Sequence, residues 1–307
     1  MGGVLEGFAV IGVVIGLGFV LAHIGVVGAD SQVLLSRLVF FVASPALLFT
    51  LLGDVDPVAV LSSNLTVAVT SLAATAALAA GLARYAWRMD LGDAVIATLC
   101  GAYANAGNLG IPIAVYALGD ASAVASLMLF QLLIVSPTAF VLLDRANRGR
   151  RMSPSMVVRL IVRNPITVGS LLGLLVAIAE WTPPEVVVAP IELVAGMAVP
   201  GMLIAYGVSL RLGPRPGRGA PVSQVATVAA LKLVVQPGIA YAVGAFVLGL
   251  EPEALLAVTV VAALPTAQNI FVYAVRYDRS SILARDSIFV STILSVPVVL
   301  LIAALLA

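Results

Sequence analysis

Long apolar stretches separated by short polar joints constrain this chain more than any other feature of its sequence. A helix needs about 20 consecutive apolar residues to cross the hydrocarbon core of a bilayer, and stretches of roughly that length follow one another along the chain. They cover residues 3–27, 33–52, 65–87, 94–118, 121–143, 166–181, 187–210, 225–250, 254–277 and 287–307. Only 10% of the residues are charged, against about a quarter in ordinary soluble domains. The pattern predicts an all-α protein of about ten transmembrane helices in the cell membrane.

The composition also excludes several kinds of function. A net charge of +1 gives no general attraction for nucleic acid. The single cysteine, Cys100, has no partner for a disulfide, and the single histidine, His23, cannot form a metal cluster alone. We therefore expect no metal, no cofactor and no nucleic-acid partner. The sequence also lacks a Ser/His/Asp set and paired central carboxylates, so an intramembrane enzyme is the weakest of the functional hypotheses.

The arginines fall at alternate ends of the apolar stretches, which orients the stretches. Basic residues in short loops face the cytoplasm. The basic set is Arg37, Arg84, Arg88, Arg145, Arg148, Arg150, Arg151, Arg159, Arg163, Arg211, Arg215, Arg218, Arg276, Arg279 and Arg285. The intervening loops carry acids without bases, as at Asp54, Asp120 and Glu180. Ten spans with cytoplasmic basic loops and both termini outside satisfy this pattern.

Short sequence matches relate the two halves of the chain. In order, the matches are Leu38-Val39 and Pro45 with Leu193-Val194 and Pro200, Val115-Tyr116-Ala117 with Val272-Tyr273-Ala274, and Val135-Ser136-Pro137 with Ser295-Val296-Pro297. Five spans in each half give the second copy the opposite orientation, as in many secondary transporters. We predict a first repeat over 1–144, a basic cytoplasmic linker over 145–164 and a second repeat over 165–307. A duplication retained only for stability is the alternative.

Two apolar stretches contain residues that interrupt a helix. The fourth reads GAYANAGNLGIP over 101–112, and the ninth reads ALPTAQN over 263–269. Glycine and proline weaken a helix, and unwound backbone inside a bilayer is tolerated only against protein or a water-filled cavity. We therefore expect both helices to break well inside the bilayer. The candidate site residues at the breaks are Asn105, Gly107, Asn108, Gly110, Pro112, Pro265, Thr266, Gln268 and Asn269.

The two breaks together predict a binding site. Pro112 and Pro265 suit the first turn of a new half-helix, and Asn108 is placed to cap the first of these. Because the two stretches run in opposite directions, the positive ends of both half-helices converge near the midplane, where they favour an anionic or strongly polar ligand. The alternative is that glycine and proline are common in membrane helices and that the amide side chains only join helices together.

Lys232 is the only basic residue well inside an apolar stretch. A charge at that depth is costly and marks a functional site by default, so Lys232 is a candidate partner for an anionic substrate. The alternative is that its long side chain extends to the cytoplasmic face and places the ammonium group in water. The sequence leaves both interpretations open.

These features resemble the auxin efflux carrier family over essentially the whole chain. The resemblance rests on NAGNLGIP at 105–112, ALPTAQN at 263–269, Arg163-Asn164-Pro165 and the stretch 232–237. It implies two inverted five-helix repeats with crossed broken helices in the fourth and ninth positions. It also implies an elevator-like movement against a scaffold of the first, second, sixth and seventh helices. Family substrates are organic anions, including auxin and small dicarboxylates.

The resemblance implies residue roles and partners as well. The residues that would line the substrate site are Asn105, Asn108, Pro112, Pro265, Gln268 and Asn269, while Pro45 and Pro200 would form a scaffold hinge or pocket wall. The partners would be a small organic anion and the lipid bilayer, and a homodimer through the first, second, sixth and seventh helices is compatible with this pattern. The central loop is short, at 144–163, which argues against the phosphorylation control of the plant carriers.

We therefore predict a secondary transporter of a small carboxylate-bearing solute that works by alternating access. A membrane receptor that binds a ligand in the same pocket is one alternative, although no loop is long enough for a signalling domain. A sodium-coupled symporter similar to the bile-acid transporters is another, because that family also carries a Gln-Asn pair like Gln268-Asn269. Its nearby acidic sodium ligand is replaced here by Pro265 and Thr266, which makes sodium coupling the weaker expectation.

Overall fold

The computed structural model of the protein describes residues 2–53, 63–110, 113–114, 118, 122–148, 154–163, 165–212 and 219–306. The α-helices within these ranges are α1 (Gly2–His23), α2 (Ala29–Leu38), α3 (Ser44–Gly53), α4 (Ser63–Gly81), α5 (Leu91–Ala102), α6 (Ser122–Phe130), α7 (Ser136–Arg148), α8 (Pro154–Arg163), α9 (Pro165–Ile178), α10 (Glu185–Ala195), α11 (Ala198–Leu212), α12 (Val222–Ala230), α13 (Gln236–Ala242), α14 (Pro252–Ala262), α15 (Asn269–Tyr277) and α16 (Ser281–Leu306). The predicted all-α class is confirmed.

Six helical segments of the described residues are long and apolar enough to cross a membrane. They are Ala29–Gly53, Asn64–Ala86, Ala123–Asn147, Glu185–Leu212, Val222–Val247 and Ser281–Leu306. Four shorter apolar helices accompany them: Gly12–His23, Leu91–Ala102, Thr167–Ile178 and Pro252–Ala262. Large apolar side chains such as Val186, Leu193, Phe246 and Leu305 lie on the outer surface. Soluble proteins rarely expose contiguous apolar surface, so this exterior suits contact with lipid.

Several of the long segments contain a five-residue π-helical turn just before a proline. A proline lacks an N–H donor and its ring clashes with the carbonyl four residues earlier. A locally widened turn accommodates both problems while the helix continues. The turns and their prolines are Val39–Ala43 before Pro45, Gln131–Val135 before Pro137, and Leu231–Val235 before Pro237.

The smaller of two compact units comprises residues 2–60 and 158–214. Its helices pack through glycines that allow the backbones to approach closely. A Cβ atom on Gly18 of α1 would collide with the carbonyl oxygen of Ile204 in α11, and one on Gly207 would collide with that of Ile15. In the same way Gly169 of α9 lies against the backbone of Pro45 in α3.

The larger unit comprises residues 61–157 and 215–307. Nine of the twelve residues of α5 are buried, and so is every residue from Ala257 to Ala262 in α14. The buried side chains of one core cluster come from α5, α7, α12, α15, α16 and the residues that follow α5 and precede α15: Val95, Ile96, Leu99, Cys100, Tyr103, Ala139, Leu143, Val228, Ala267, Ile270, Tyr273, Ala274, Tyr277 and Ala284. The interrupted fourth and ninth stretches therefore form the interior of this unit.

Polar contacts hold the first turn of α5 in the larger unit. Asp90 caps the helix by accepting a hydrogen bond from the backbone N–H of Asp93 at 2.9 Å. Arg279 forms an ion pair with Asp90 and donates to the side-chain oxygen of Asn147 at 3.0 Å. Asn147 in turn donates to the carbonyl oxygen of Tyr277 at 2.9 Å. These bonds join the start of α5 to the ends of α7 and α15.

The region predicted as a linker, 145–164, contains helix at both ends. Helix α7 continues through Arg148, and α8 covers Pro154–Arg163; residues 149–153 and 164 lie outside the described ranges. Each compact unit draws on both halves of the sequence. The compact units therefore do not coincide with the predicted repeats, and the repeat boundaries at 1–144 and 165–307 remain a prediction.

Candidate functional site: two crossed helix interruptions

The first interruption begins where α5 ends. Tyr103 leaves the helix with φ −83° and ψ 110°, and the chain continues into a π-helical turn at Ala106–Gly110. The carbonyl oxygen of Asn105 accepts from the N–H groups of Leu109 at 3.3 Å and Gly110 at 3.0 Å. The chain therefore departs from the helix for only a few residues, and Asn105 starts the next turn.

The second interruption separates α14 from α15. Helix α14 ends at Ala262 and α15 begins at Asn269. Pro265 has no N–H to continue the ladder, and the preceding turn is closed by the N–H of Ala263, which donates to the carbonyl oxygens of Thr259 and Val260. The predicted break in the ninth stretch is present within the larger unit.

The two interruptions lie side by side and bond to each other, and we call this contact the crossing. Ala104 and Thr266 form an isolated antiparallel β-bridge. The N–H of Asn105 donates to the carbonyl oxygen of Pro265 at 2.7 Å, and the N–H of Ala267 donates to that of Tyr103 at 3.1 Å. Backbone groups buried away from water must find partners, and these groups find them across the crossing.

Two side chains from other helical segments bond to the backbone of the crossing. One is Gln131, in the π-helical turn between α6 and α7, and the other is Ser291 in α16. Gln131 accepts from the N–H of Ala104 at 2.7 Å and donates to the carbonyl oxygen of Ala104 at 3.1 Å. The hydroxyl oxygen of Ser291 accepts from the N–H of Thr266 at 3.1 Å. Neither residue was among the sequence candidates. The available signal was their position, since each lies six residues before a proline of the Val135-Ser136-Pro137 and Ser295-Val296-Pro297 match.

A polar and aromatic cluster adjoins the crossing at the start of α15. Asn269 donates through Nδ2 to the hydroxyl of Tyr273 at 3.1 Å, and the hydroxyls of Tyr103 and Ser136 lie 3.0 Å apart. The ring of Phe140 packs edge-on against Tyr273 with centroids 4.8 Å apart. Oδ1 of Asn269 is buried and has no hydrogen-bond partner in the described part of the chain.

The remaining glycine and glutamine candidates lie at or beside the crossing. Gly110 packs against the second break, because a Cβ atom there would lie 2.8 Å from Cδ1 of Leu264. Gly107 faces Met128, whose Cε would be 3.8 Å from an added Cβ atom. Gln268 is half-buried in the turn before α15. Pro45 and Pro200 belong to α3 and α11 of the smaller unit.

Two details of the predicted breaks are wrong. Asn108 lies inside the π-helical turn Ala106–Gly110 and does not precede it, so Asn105 takes the position expected for a cap. Pro265 lies four positions before the first residue of α15 and not in its first turn, because its carbonyl group belongs to the crossing. Pro112 lies outside the described residues.

The hydrogen bonds of the crossing decide which backbone N–H groups are left to bind a ligand. The N–H groups of Ala104, Asn105, Thr266 and Ala267 are bonded within the protein. The first turn of α15 is also partly bonded, because the N–H groups of Ile270 and Phe271 donate to the carbonyl oxygens of Ala267 at 3.2 Å and Gln268 at 3.1 Å. Donors for an anion must therefore come mainly from side chains.

Lys232 lies inside the larger unit, in the π-helical turn Leu231–Val235. Its side chain is fully buried. The ammonium Nζ donates to Oε1 of Gln236 at 2.7 Å and to the carbonyl oxygen of Ala262 at 2.8 Å. The side chain therefore does not extend to a water-facing surface, and it ends at the last residue of α14.

Comparison with known proteins identifies the family of this chain. Residues 4–303 match the family described as membrane transport protein, and the chain belongs to this family. The resemblance to the auxin efflux carriers is thereby confirmed. Members of the family are transporters rather than enzymes. Together with the apolar helices, membership identifies a multi-pass membrane protein.

Two relatives match nearly the full length of the chain. A Rhizobium meliloti (strain 1021) protein named "Putative malonate transporter" is 28% identical over 295 residues, which cover 92% of this chain and 89% of the relative. An "Uncharacterized transporter" from Methanothermobacter thermautotrophicus is 27% identical over 285 residues, which cover 91% of this chain and 90% of that protein. The similarity therefore extends well beyond the two interruptions.

Proposed function

We propose that this protein is a secondary transporter that moves a small organic anion with a carboxylate group across the cell membrane by alternating access. The observation that carries the proposal is the crossing of two interrupted helices inside the larger unit, at Ala104 and Thr266. Interrupted helices near the midplane are the usual place for substrate sites in transporters of this type. Malonate is the first substrate to test, because one relative carries it in its name.

The proposed substrate site lies at the crossing. Its residues are Asn105, Gly107, Asn108, Gly110, Pro112, Pro265, Thr266, Gln268 and Asn269. Lys232 supplies positive charge from its buried position at the end of α14 without touching the substrate, and Pro45 and Pro200 form a scaffold hinge or pocket wall. Asn269 supports this assignment because it begins α15 and has a buried amide oxygen without a partner among the described residues. A rotation of this side-chain amide about its Cβ–Cγ bond would exchange the positions of Nδ2 and Oδ1. The NH2 group would then face an anion, and Oδ1 would accept a hydrogen bond from the hydroxyl of Tyr273.

We further propose ten transmembrane helices in two inverted repeats. The six long and four short apolar helices support this number. The repeat is supported by two equivalent hydrogen bonds at the crossing. Gln131 accepts from the N–H of Ala104 and Ser291 accepts from the N–H of Thr266. These two residues occupy equivalent positions before Pro137 and Pro297. In this proposal both termini lie outside and the basic loops are cytoplasmic.

The proposed mechanism is an elevator-like movement of the larger unit. Its support is the division of the chain into two compact units, because the smaller unit contains the helices of the first, second, sixth and seventh apolar stretches. The glycine-mediated packing of α1 with α11 and of α3 with α9 suits a rigid scaffold. We also propose that a homodimer, where it forms, uses these same helices.

A ligand-binding experiment tests the site. We expect malonate or a related carboxylate to raise the melting temperature of the purified protein in detergent, and a screen at two pH values with and without sodium identifies the preferred ligand. Asn105→Ala and Asn269→Ala should lose this shift. Asn147→Ala is the matched control, because Asn147 bonds to Tyr277 and Arg279 at the loop end of α7. Shifts of wild-type size in both site variants would remove the assignment.

A receptor that binds the same ligand without moving it is the second candidate. Binding and stabilisation would be the same in both cases, so the discriminating measurement is accumulation of the labelled ligand in proteoliposomes. Stabilisation without accumulation would favour the receptor. A sodium-coupled symporter differs from both, because its uptake would require sodium.

A further inference from the structure

The buried ammonium group of Lys232 is surrounded by neutral oxygens. Its two hydrogen-bond acceptors are the carbonyl oxygen of Ala262 and Oε1 of Gln236, and neither carries a formal charge. The ion pairs of the described residues in this unit are Arg279 with Asp90 and Arg285 with Asp286, and Lys232 belongs to neither. The Lys232 nitrogen is therefore held inside the larger unit by neutral oxygens, and no ion pair of the described residues includes it.

Helix α14 supplies the compensating negative charge. The last carbonyl groups of a helix have no intrahelical partners and carry partial negative charge. Ala262 is the last residue of α14, and Pro265, which accepts from Asn105 in the crossing, follows three residues later. The ammonium group thus closes the end of α14 at the point where the second interruption begins.

The same oxygens would suit a small free cation. Carbonyl and amide oxygens are typical ligands of hard cations in proteins. Gln236 and Ala262 also line a small cavity together with the polar side chains of Asn64 and Ser71. Nε2 of Gln236 is buried and has no partner in the described residues, so this amide is fixed only through its bond to Lys232.

We propose that Lys232 is a built-in cation, whose ammonium group permanently occupies a site of neutral oxygens formed by Ala262 and Gln236 and so keeps the second interruption in its binding conformation. Lys232 is then a positioning residue that acts on the crossing through α14 and does not touch the substrate. This inference rests on the proposed transport function for its consequence, which is that transport needs no free sodium or potassium.

Two substitutions separate the charge from the space that the side chain fills. Lys232→Ala removes the ammonium group and leaves room for a small cation, whereas Lys232→Met removes the charge but fills that room. In choline chloride both variants should lose about ten-fold or more of the initial malonate uptake, the size expected for losing a charge-assisted hydrogen bond. Sodium, ammonium or methylammonium at equal ionic strength should restore uptake to Lys232→Ala and not to Lys232→Met.

A substrate-free measurement keeps this test independent of the proposed function. The same cations should raise the melting temperature of ligand-free Lys232→Ala and leave those of Lys232→Met and the wild type unchanged. If the wild type accumulates no carboxylate, the proposed function fails, while the melting temperatures still decide on the built-in cation. If Lys232→Ala is recovered folded only in the presence of small cations, that result also supports the proposal.

Four results would overturn the built-in cation. They are full activity of Lys232→Ala in choline, equal restoration of Lys232→Ala and Lys232→Met, a requirement of the wild type for sodium, and a Lys232→Ala protein whose melting temperature or yield ignores small cations.

Discussion

The hydroxyl group of Thr266 donates a hydrogen bond of 2.6 Å to the carbonyl oxygen of Cys100. Cys100 lies in the last turn of α5, where carbonyl groups lack intrahelical partners, so a side chain from the second interruption caps the helix that leads into the first. The end of α14 is capped in a similar way by Lys232. Both interrupted helices therefore end on a side chain from another part of the larger unit.

Removal of the Thr266 hydroxyl should weaken the crossing. In Thr266→Val the buried carbonyl oxygen of Cys100 loses this partner, which costs about 1–3 kcal/mol for a buried polar group. Thr259→Val is the matched control, because the hydroxyl of Thr259 bonds at 2.7 Å to Leu255 in its own helix. Thermal unfolding in detergent should show a clearly larger loss for Thr266→Val. Equal losses would mean that the bond to Cys100 contributes nothing of its own.

Gln131 should be the most sensitive support of the crossing. It serves both the N–H and the carbonyl group of Ala104. Ser291 serves a single group of the crossing, the N–H of Thr266, and its hydroxyl donates to the carbonyl oxygen of Ile288 in its own helix. Because each buried group left unpaired costs about 1–3 kcal/mol, Gln131→Leu should lower the melting temperature and malonate uptake more than Ser291→Ala does. The opposite order of the two variants in both measurements would contradict this reading of the contacts.

The sequence predicted the positions of both interruptions but not their contacts. Glycine, asparagine and proline in the fourth and ninth stretches mark where a helix cannot continue, and this reasoning needs only local chemistry. The pairing of Ala104 with Thr266 joins residues far apart in the chain, and no local pattern specifies it. The errors at Asn108 and Pro265 have the same origin, because contacts across the crossing decide where each new helix begins.

Glycine at position 18 should be required for packing in the smaller unit. A Cβ atom there would overlap the backbone of Ile204, while one on Gly16 of the same helix would meet nothing within 4 Å. Gly18→Ala should therefore destabilise the protein by about 1–3 kcal/mol through overpacking. Gly16→Ala should be neutral or stabilising by about 0.5–1 kcal/mol, because alanine favours a helix. Thermal unfolding of the two variants side by side checks this, and a similar loss in both would contradict it.

Asp90 should stabilise the protein in a pH-dependent way. The backbone N–H of Asp93 lowers the pKa of Asp90, and the charge of Arg279 adds to this effect, while partial burial opposes it. A lowered pKa means that the ionised cap stabilises the fold above the ordinary aspartate pKa and that this contribution is lost as the pH falls through the lowered value. Asp90→Ala should therefore cost about 1 kcal/mol at neutral pH.

The melting-temperature difference between Asp90→Ala and the wild type should shrink as the pH falls below about 4, where the unperturbed carboxyl group titrates. Glu253→Ala provides a control, since Glu253 lies in the first turn of α14 but is not its cap residue. A difference that stays constant from neutral to acidic pH would show that the charge of Asp90 is not what stabilises α5.

The position of Lys232 illustrates what composition and spacing leave undecided. A lysine deep in an apolar stretch can reach water or turn inward, and the choice depends on whether unpaired acceptors lie within its reach. The end of α14 and the side chain of Gln236 provide those acceptors. Gln236 is four residues from Lys232 and thus on the same helix face, but Ala262 comes from another helix and is not visible in the sequence.

Uptake of radiolabelled malonate and related small carboxylates into proteoliposomes tests the central proposal most directly. We expect the wild type to accumulate at least one of these solutes above protein-free liposomes, and we expect Asn105→Ala and Asn269→Ala to reduce the initial rate while Asn147→Ala preserves it. No accumulation of any carboxylate by folded wild-type protein, under imposed proton or sodium gradients of either direction, would contradict the account.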